Sequence, residues 1–285
     1  MGQNPSRILL AGCGYVGAEL ARRLGREGHE VFALRRSEAA PIDGVTWIRA
    51  DLTDVDALRA LPARIELVCY SASAGGGDDR AYRSAYVDGL RYLLAALDGH
   101  PVRRLLYTSS TGVYAQSNGE WVDEHSPAEP THFSGKRLLE GEHLARQWRF
   151  PATVVRFAGI YGPGRTRLVE SVRRREAVIP AGGPIYSNRI HRDDCAGVIH
   201  HLFFLSAAEP LYVASDEEPT DAATLYRWLA AKLGVEAPRV EPVPDAGHRY
   251  GRSSNKRVRN ARLLASGYRF RYPTYRDGYE ALIAR

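Results

Sequence analysis

The chain has 285 residues, 44% apolar and 25% charged, with 39 Lys and Arg against 33 Asp and Glu for a formal charge of +6. That size can bury a large core, and no run approaches the roughly eighteen apolar residues of a membrane span. Three scattered cysteines, Cys13, Cys69 and Cys195, exclude a disulfide frame and a C-x-x-C metal site. The positive charge is arginine spread along the chain, and its compact run, Arg173–Arg175, lacks interleaved aromatics. A small-molecule substrate is therefore expected as partner, with no nucleic acid, no membrane and no metal, in a monomer or homodimer. The first apolar run starts at Ile8, so a cytoplasmic, reducing address is expected.

Ile8–Ala11 is a continuous apolar run, as a strand buried on both faces requires. Gly12, Gly14 and Gly17 follow at G-x-G-x-x-G spacing, with Tyr15 and Val16 between them, and residues 18–30 repeat as an amphipathic helix. In a strand–turn–helix setting the first glycine makes the turn, the second admits a pyrophosphate to the backbone, and the third lets helix pack on strand. This stretch predicts a dinucleotide site. His29–Leu34 is the second strand. At its end an NAD site carries an Asp or Glu for the ribose 2′-hydroxyl; here stand Arg35 and Arg36, which suit a 2′-phosphate. NADP is expected over NAD.

Trp47–Leu52 reads as a third strand, Leu67–Tyr70 as a short buried one followed by the loop Ser71–Gly77, and residues 79–98 as a helix. Arg104–Thr108 is a further strand ending in Ser109–Thr111, Lys136–Trp148 is helical, and Ala152–Phe157 is the next strand. This alternation predicts an α/β fold, a Rossmann-type doubly wound parallel sheet of about seven strands, with ligands at the carboxyl ends. Beyond Tyr161–Gly164 the alternation loosens. Residues 192–206 read as a helix, 211–215 as a strand and 220–233 as a helix; 236–262 is polar and irregular. The expected division is a dinucleotide-binding domain over 1–160 with a return segment at 185–215, and a small C-terminal substrate lobe from 161–184 and 216–285.

Together these segments resemble the short-chain dehydrogenase/reductase superfamily, in its extended, NAD(P)-dependent epimerase/dehydratase-like branch. Tyr107–Tyr114 is similar to the S-S-x-x-V-Y segment, Arg156–Gly164 to the strand and loop that pass the nicotinamide, and Arg189–Asp194 to the I-H-x-x-D segment. The resemblance implies that Ser110 is catalytic, that Asp51 and Leu52 lie beside adenine, and that Ser71, Ala72, Ser73, Phe157, Gly159 and Ile160 line the cofactor. The chain departs from the pattern in three places: the glycine spacing, Asp88 where a structural Asn is usual, and His132-Phe133-Ser134-Gly135-Lys136 where Tyr-x-x-x-Lys is usual. An atypical branch of the superfamily shares such departures.

In that superfamily a phenol beside an ammonium passes a proton to or from the substrate oxygen, a serine orients that oxygen, and the lysine also holds the nicotinamide ribose. The implied catalytic set here is Ser110, His132 and Lys136, with Lys136 also binding cofactor; Lys136 is one of three lysines in the chain. An imidazole titrates near neutrality and can act as general acid, while a histidine at a helix start also serves as a plain polar residue. Thr111, Tyr114, Tyr161 and Tyr186 are alternative hydroxyls. Thr111, Tyr114, Tyr161, Arg165, Arg189 and His191 are the candidate substrate residues, the arginines and His191 as an anion-binding mouth. Two functions follow: an NADP-dependent oxidoreductase or epimerase/dehydratase-like enzyme acting on a hydroxyl or carbonyl, with sugars and nucleotide-sugars among its substrates, or an NADP(H)-binding regulatory or redox-sensing protein whose responsive segment is 236–262.

Overall fold

The computed structural model describes residues 4–242 and 254–284; of the segment 236–262, residues 243–253 lie outside the described residues. The chain begins with β1 (Arg7–Ala11), α1 (Tyr15–Arg26), β2 (Glu30–Arg35), β3 (Val45–Arg49), α2 (Val55–Arg59) and β4 (Leu67–Tyr70). Next come α3 (Asp79–Arg83), a π-helical turn at Ser84–Asp88, α4 (Gly89–Ala96), β5 (Arg104–Ser110), β6 (Glu120–Val122), α5 (Phe133–Gln147) and β7 (Ala152–Phe157). The remainder comprises β8 (Gly159–Tyr161), α6 (Arg167–Arg173), β9 (Ile179–Pro180), β10 (Tyr186–Ser187), β11 (Arg189–His191), α7 (Arg192–Phe204) and β12 (Leu211–Ala214), then β13 (Thr220–Asp221), α8 (Ala222–Leu233), β14 (Val240–Glu241), β15 (Lys256–Val258), α9 (Ala261–Ala265) and α10 (Tyr275–Ile283).

Among the described residues the central sheet has seven strands in the order β12-β7-β5-β4-β1-β2-β3. β1 pairs in parallel with both β2 and β4, so strand order reverses beside it. Such a switch point leaves a crevice at the carboxyl ends of the strands, where open α/β sheets take ligands. The apolar runs explain the sheet: Ile8, Leu9, Leu10, Leu67, Val68, Leu105, Leu106, Val154 and Val155 are fully buried, as strands covered on both faces must be. Gly17, Leu20, Ala21 and Leu24 form the buried stripe of α1.

The chain forms two compact units. The first comprises 1–113, 129–156 and 195–212; the second comprises 114–128, 157–194 and 213–285. In the second, β6 pairs with β15, β8 with β11, β9 with β14 and β10 with β13. Its apolar core gathers Val169, Val172, Ile179, Leu225, Leu229, Tyr275 and Tyr279.

Inside the first unit a charged group ties α5 to the sheet. Glu142 accepts from the Ser109 hydroxyl at 2.5 Å and from the Arg156 guanidinium at 2.6–3.2 Å. Glu142 and Arg156 are 2% and 5% exposed. A buried pair of this kind yields little net stability against apolar residues of the same size, but removing one partner strands a charge. Arg156→Met is therefore expected to destabilise the protein by about 3–5 kcal/mol in urea unfolding; a loss within experimental error would mean that Glu142 has another counter-charge.

Candidate functional site

The crevice beside β1 is a cleft of about 450 Å³ lined by the glycine turn, the end of β2 and the loops after β3 and β4. Gly12 adopts φ +84°, and a Cβ there would lie 2.4 Å from the backbone of Ala72. The turn can be this tight only with glycine. At Gly14 a Cβ would meet only the Gly12 carbonyl oxygen, at 3.9 Å, leaving open space beside the backbone. Gly14 also caps the twelve-residue α1 without a side-chain hydrogen bond, so its first amides remain available to an anion. A dinucleotide pyrophosphate fits this arrangement. Ser71 ties the loop after β4 to the turn, its hydroxyl donating to the Gly12 carbonyl at 3.2 Å.

Arg35, Arg36 and Ser37 line the same cleft, with Asp51, Leu52, Ala72 and Ser73. The Arg35 guanidinium donates to the Ser37 hydroxyl at 2.7 Å. Arg36 lies over the glycine loop, 2.8 Å from where a Gly75 Cβ would stand, and 3.7 Å from the Asp51 carboxylate. The Thr53 amide, bonded to Asp51 at 2.8 Å, holds that carboxyl below its ordinary range, helped by the Thr53 hydroxyl and Arg36. Burial pushes the Cys13 thiol, at the same turn, up to about 12; it is packing, not a nucleophile. Tyr15 and Val16 are partly buried in the first turn of α1. Phe157, Gly159 and Ile160 belong to the second unit, at the end of β7 and on β8.

Ser110 ends β5, and its hydroxyl accepts from the Gly112 amide at 3.1 Å; Thr111 opens the 3-10 turn that follows. His132 is the N-cap of α5. Its Nδ1 lies 2.9 Å from the Ser134 hydroxyl and accepts weakly from the Ser134 amide at 3.4 Å. The buried face of α5 is Gly135, Leu138, Gly141, Glu142 and Ala145. At about 100° per residue Lys136 falls on the opposite side, and it is exposed. The apolar and glycine spacing 135-138-142-145 was the sequence signal for the buried face.

The other candidates lie in the second unit. The Tyr114 hydroxyl donates to the Asp123 carbonyl at 2.6 Å. Tyr161 stacks on Tyr279 at 4.5 Å and meets His191 edge-on at 5.4 Å. Arg189 and His191 are 3% and 1% exposed, with Arg189 donating to the Ser187 hydroxyl at 2.6 Å and His191 Nδ1 accepting from the Asp193 amide at 3.2 Å. Arg165 is exposed. Arg189 and His191 are thus internal supports, not an open mouth shared with Arg165. Asp194, of the I-H-x-x-D segment, accepts from the Tyr268 hydroxyl and the Arg271 and Tyr272 amides at 2.7–3.0 Å. Among the described residues no group of three metal-ligating side chains occurs, and no helix is long and apolar enough to cross a membrane.

The profile of the NAD dependent epimerase/dehydratase family matches residues 8–187. The chain belongs to that family. It is 30% identical over 258 residues to the 2-alkyl-3-oxoalkanoate reductase of Stenotrophomonas maltophilia (strain K279a), spanning 82% of this chain and 77% of the relative. It is 25% identical to the YeeZ protein of Escherichia coli (strain K12), over 94% and 96% of the two chains. A Methylobacillus flagellatus protein assigned to the NAD-dependent epimerase/dehydratases has a similar structure, with TM-score 0.81, 42% identity and 98% coverage of both chains. MoeE5, solved with UDP-glucose and NAD, reaches TM-score 0.81 at 20% identity over 98% of both chains, which shows the shared fold.

The second unit of this epimerase/dehydratase chain buries an acid. Asp216, in the second unit, is 1% exposed and neither carboxylate oxygen finds a hydrogen bond of normal geometry. Burial pushes its carboxyl up to about 8, although Arg189 and the Glu218 amide draw it down. The unfolded chain ionises this acid above about pH 4 while the fold keeps its proton to about 8. Unfolding therefore releases a proton in that window, and stability falls as pH rises through it before levelling off. Urea unfolding from pH 5 to 9 should show this fall in the wild type and a shallower one in Asp216→Asn; parallel curves would refute it.

Proposed function

We propose that this chain is an NADP(H)-dependent oxidoreductase of the epimerase/dehydratase type, acting on a hydroxyl or carbonyl group, with a sugar or nucleotide-sugar as the expected substrate class. The observation that carries the cofactor choice is the end of β2, where Arg35, Arg36 and Ser37 all line the cleft and no acid takes the 2′-hydroxyl position. Two guanidiniums and a hydroxyl suit a 2′-phosphate dianion. Gly14 and the uncapped start of α1 hold the pyrophosphate, and Asp51 and Leu52 flank the adenosine. When bound, the nicotinamide accepts or supplies the hydride. Ser110, at the carboxyl end of β5, orients the substrate oxygen. Lys136, exposed near the start of α5, holds the nicotinamide ribose, and His132 or another hydroxyl moves the proton. The names of the relatives support both net reduction and redox-neutral chemistry: a 2-alkyl-3-oxoalkanoate reductase, and a UDP-glucose 4-epimerase of Streptomyces lividans that is 28% identical over 149 residues, 48% of this chain and 45% of the relative.

Calorimetric titration with NADP⁺ and NAD⁺ tests the cofactor assignment. Charge-assisted hydrogen bonds of about 1.5–3 kcal/mol each should make NADP⁺ bind at least tenfold more tightly than NAD⁺ in the wild type. The double variant Arg35→Asp/Arg36→Ala should lose that preference or invert it. Equal affinities in the wild type would reject the assignment.

A further inference from the structure

We propose that Lys256, in the second unit, recognises an anionic group of the substrate, a carboxylate or a phosphate. The proposal rests on the oxidoreductase function above and narrows its hydroxyl or carbonyl substrates to those that carry a negative charge. Lys256 is only 5% exposed, whereas Lys136 and Lys232 are exposed. A lysine that is merely solvated buries its stem and keeps its head in water; this one is enclosed almost entirely. An ammonium so enclosed calls for a counter-charge. Among the described residues Nζ has neither a hydrogen bond nor an ion pair. Glu120 stands opposite Lys256 in the β6–β15 register, yet its carboxylate is committed to its own turn, accepting from the Asn118 amide at 2.7 Å and the Asn118 side chain at 3.4 Å. Burial holds the ammonium below its usual range, with Glu120 opposing this from a distance. Nζ is nevertheless not sealed off, so a ligand oxygen can reach it.

The strand fixes the direction of the side chain. Successive residues of β15 point to opposite faces. Arg257 takes the outer one, its guanidinium 4.9 Å over the exposed Trp121 ring and 4.8 Å over Tyr186. Lys256 and Val258 take the inner one, and both are buried. Two asparagines pin the backbone around them. Asn255 accepts from the Tyr186 amide at 2.8 Å and donates to the Pro184 carbonyl at 3.1 Å. Asn188 donates to the Lys256 carbonyl at 2.9 Å and accepts from the Val258 amide at 2.8 Å. The Asn188 carbonyl in turn accepts from the Gly159 amide at 3.1 Å. Gly159 is exposed and stands just past the carboxyl end of β7, the end at which open α/β sheets take ligands. The ammonium is thus tied through one asparagine to the start of β8, on a backbone that has no freedom left to lose on binding.

An ammonium is a compact point charge, suited to one oxygen of a carboxylate or a phosphate without the planar fork of a guanidinium. An arriving anion offsets the burial of Lys256, so the complex holds the charged form and the hydrogen bond is charge-assisted. Lys256 moves no proton and breaks no bond in this account. It binds and orients the substrate, and a neutral analogue of the same shape forgoes that contact.

The test reads the lysine directly. With three lysines in the chain, a protein labelled with ¹³Cε-lysine can be assigned from Lys136→Met, Lys232→Met and Lys256→Met. Inorganic phosphate and acetoacetate are titrated in turn, with and without saturating NADP⁺. The Lys256 resonance should move saturably with at least one of them while that of Lys232 stays in place, and the anion that saturates at the lower concentration identifies the group. Turnover is followed with NADPH and a 2-alkyl-3-oxoalkanoate or its methyl ester, and with NADP⁺ and UDP-glucose. Lys256→Met should raise KM for the charged substrate at least about tenfold, the scale of one charge-assisted hydrogen bond, with kcat nearly unchanged and the ester unaffected. Urea unfolding separates a structural lysine from a binding one: having no partner to strand, Lys256→Met should unfold at the wild-type urea concentration or above it. A lower midpoint, a Lys256 resonance unmoved by both anions, or an unchanged KM for the charged substrate would overturn the anion site and leave the oxidoreductase function standing. If the wild type binds NADP⁺ yet turns over neither probe, that function fails for these substrates, while the Lys256 resonance still decides the anion site.

Discussion

The carboxyl edge of the sheet depends on one constraint: backbone must touch backbone at places where no Cβ can stand. At Gly12 the turn after β1 lies against Ala72, and at Gly135 the start of α5 lies against Pro130 and the Gly112 carbonyl. The first approach narrows the crevice at the strand-order reversal and sets α1 with uncapped amides beside it. The second brings a helix start to the end of β5. A methyl group at either position would meet atoms that belong to backbone or to a rigid ring, which cannot swing aside. Chemistry at this edge is thus fixed by contacts that carry no functional group themselves.

Behind that edge a second layer holds the register. Gly141 sits where a Cβ would fall 2.2 Å from the Tyr107 hydroxyl and 2.4 Å from the Tyr86 carbonyl, so α5 beds closely on β5 and on the π-helical turn. Glu142, one residue on, is fixed by Ser109 and Arg156. Ser109 directly precedes Ser110, so the buried carboxylate sets the strand end and the helix against each other. Because such a group contributes little net stability, its service is better described as orientation. The π-helical turn fits the same picture, since single turns of this kind recur near functional sites.

Much of the first unit was legible because its signals are local. Continuous apolar runs marked β1, β4, β5 and β7, glycine spacing marked the β1–α1 turn, and the missing acid after β2 stood out against Arg35 and Arg36. Other features came from partners distant in sequence. The third strand ends at Arg49 instead of Leu52, and the expected helix over 79–98 is broken by a π turn, which no periodicity announces. Residues 114–128 group with the second unit because β6 pairs with β15 far along the chain. Arg189 and His191 looked like surface recognition groups, yet both are buried, because sequence type does not reveal burial in an arginine-rich chain. On α5 the spacing Tyr-x-x-x-Lys drew attention to His132 and Lys136, while the glycines at 135 and 141 mark the face that packs on the sheet.

The most direct measurement of the central claim, that the β1–β2 edge receives the phosphates of NADP(H), is the ³¹P resonance of NADP⁺ bound to the protein, followed against pH. Guanidinium partners favour the dianion, so the 2′-phosphate should remain doubly ionised to at least one pH unit below the point where the free cofactor takes its proton. A bound 2′-phosphate that titrates as it does in free solution would contradict the account.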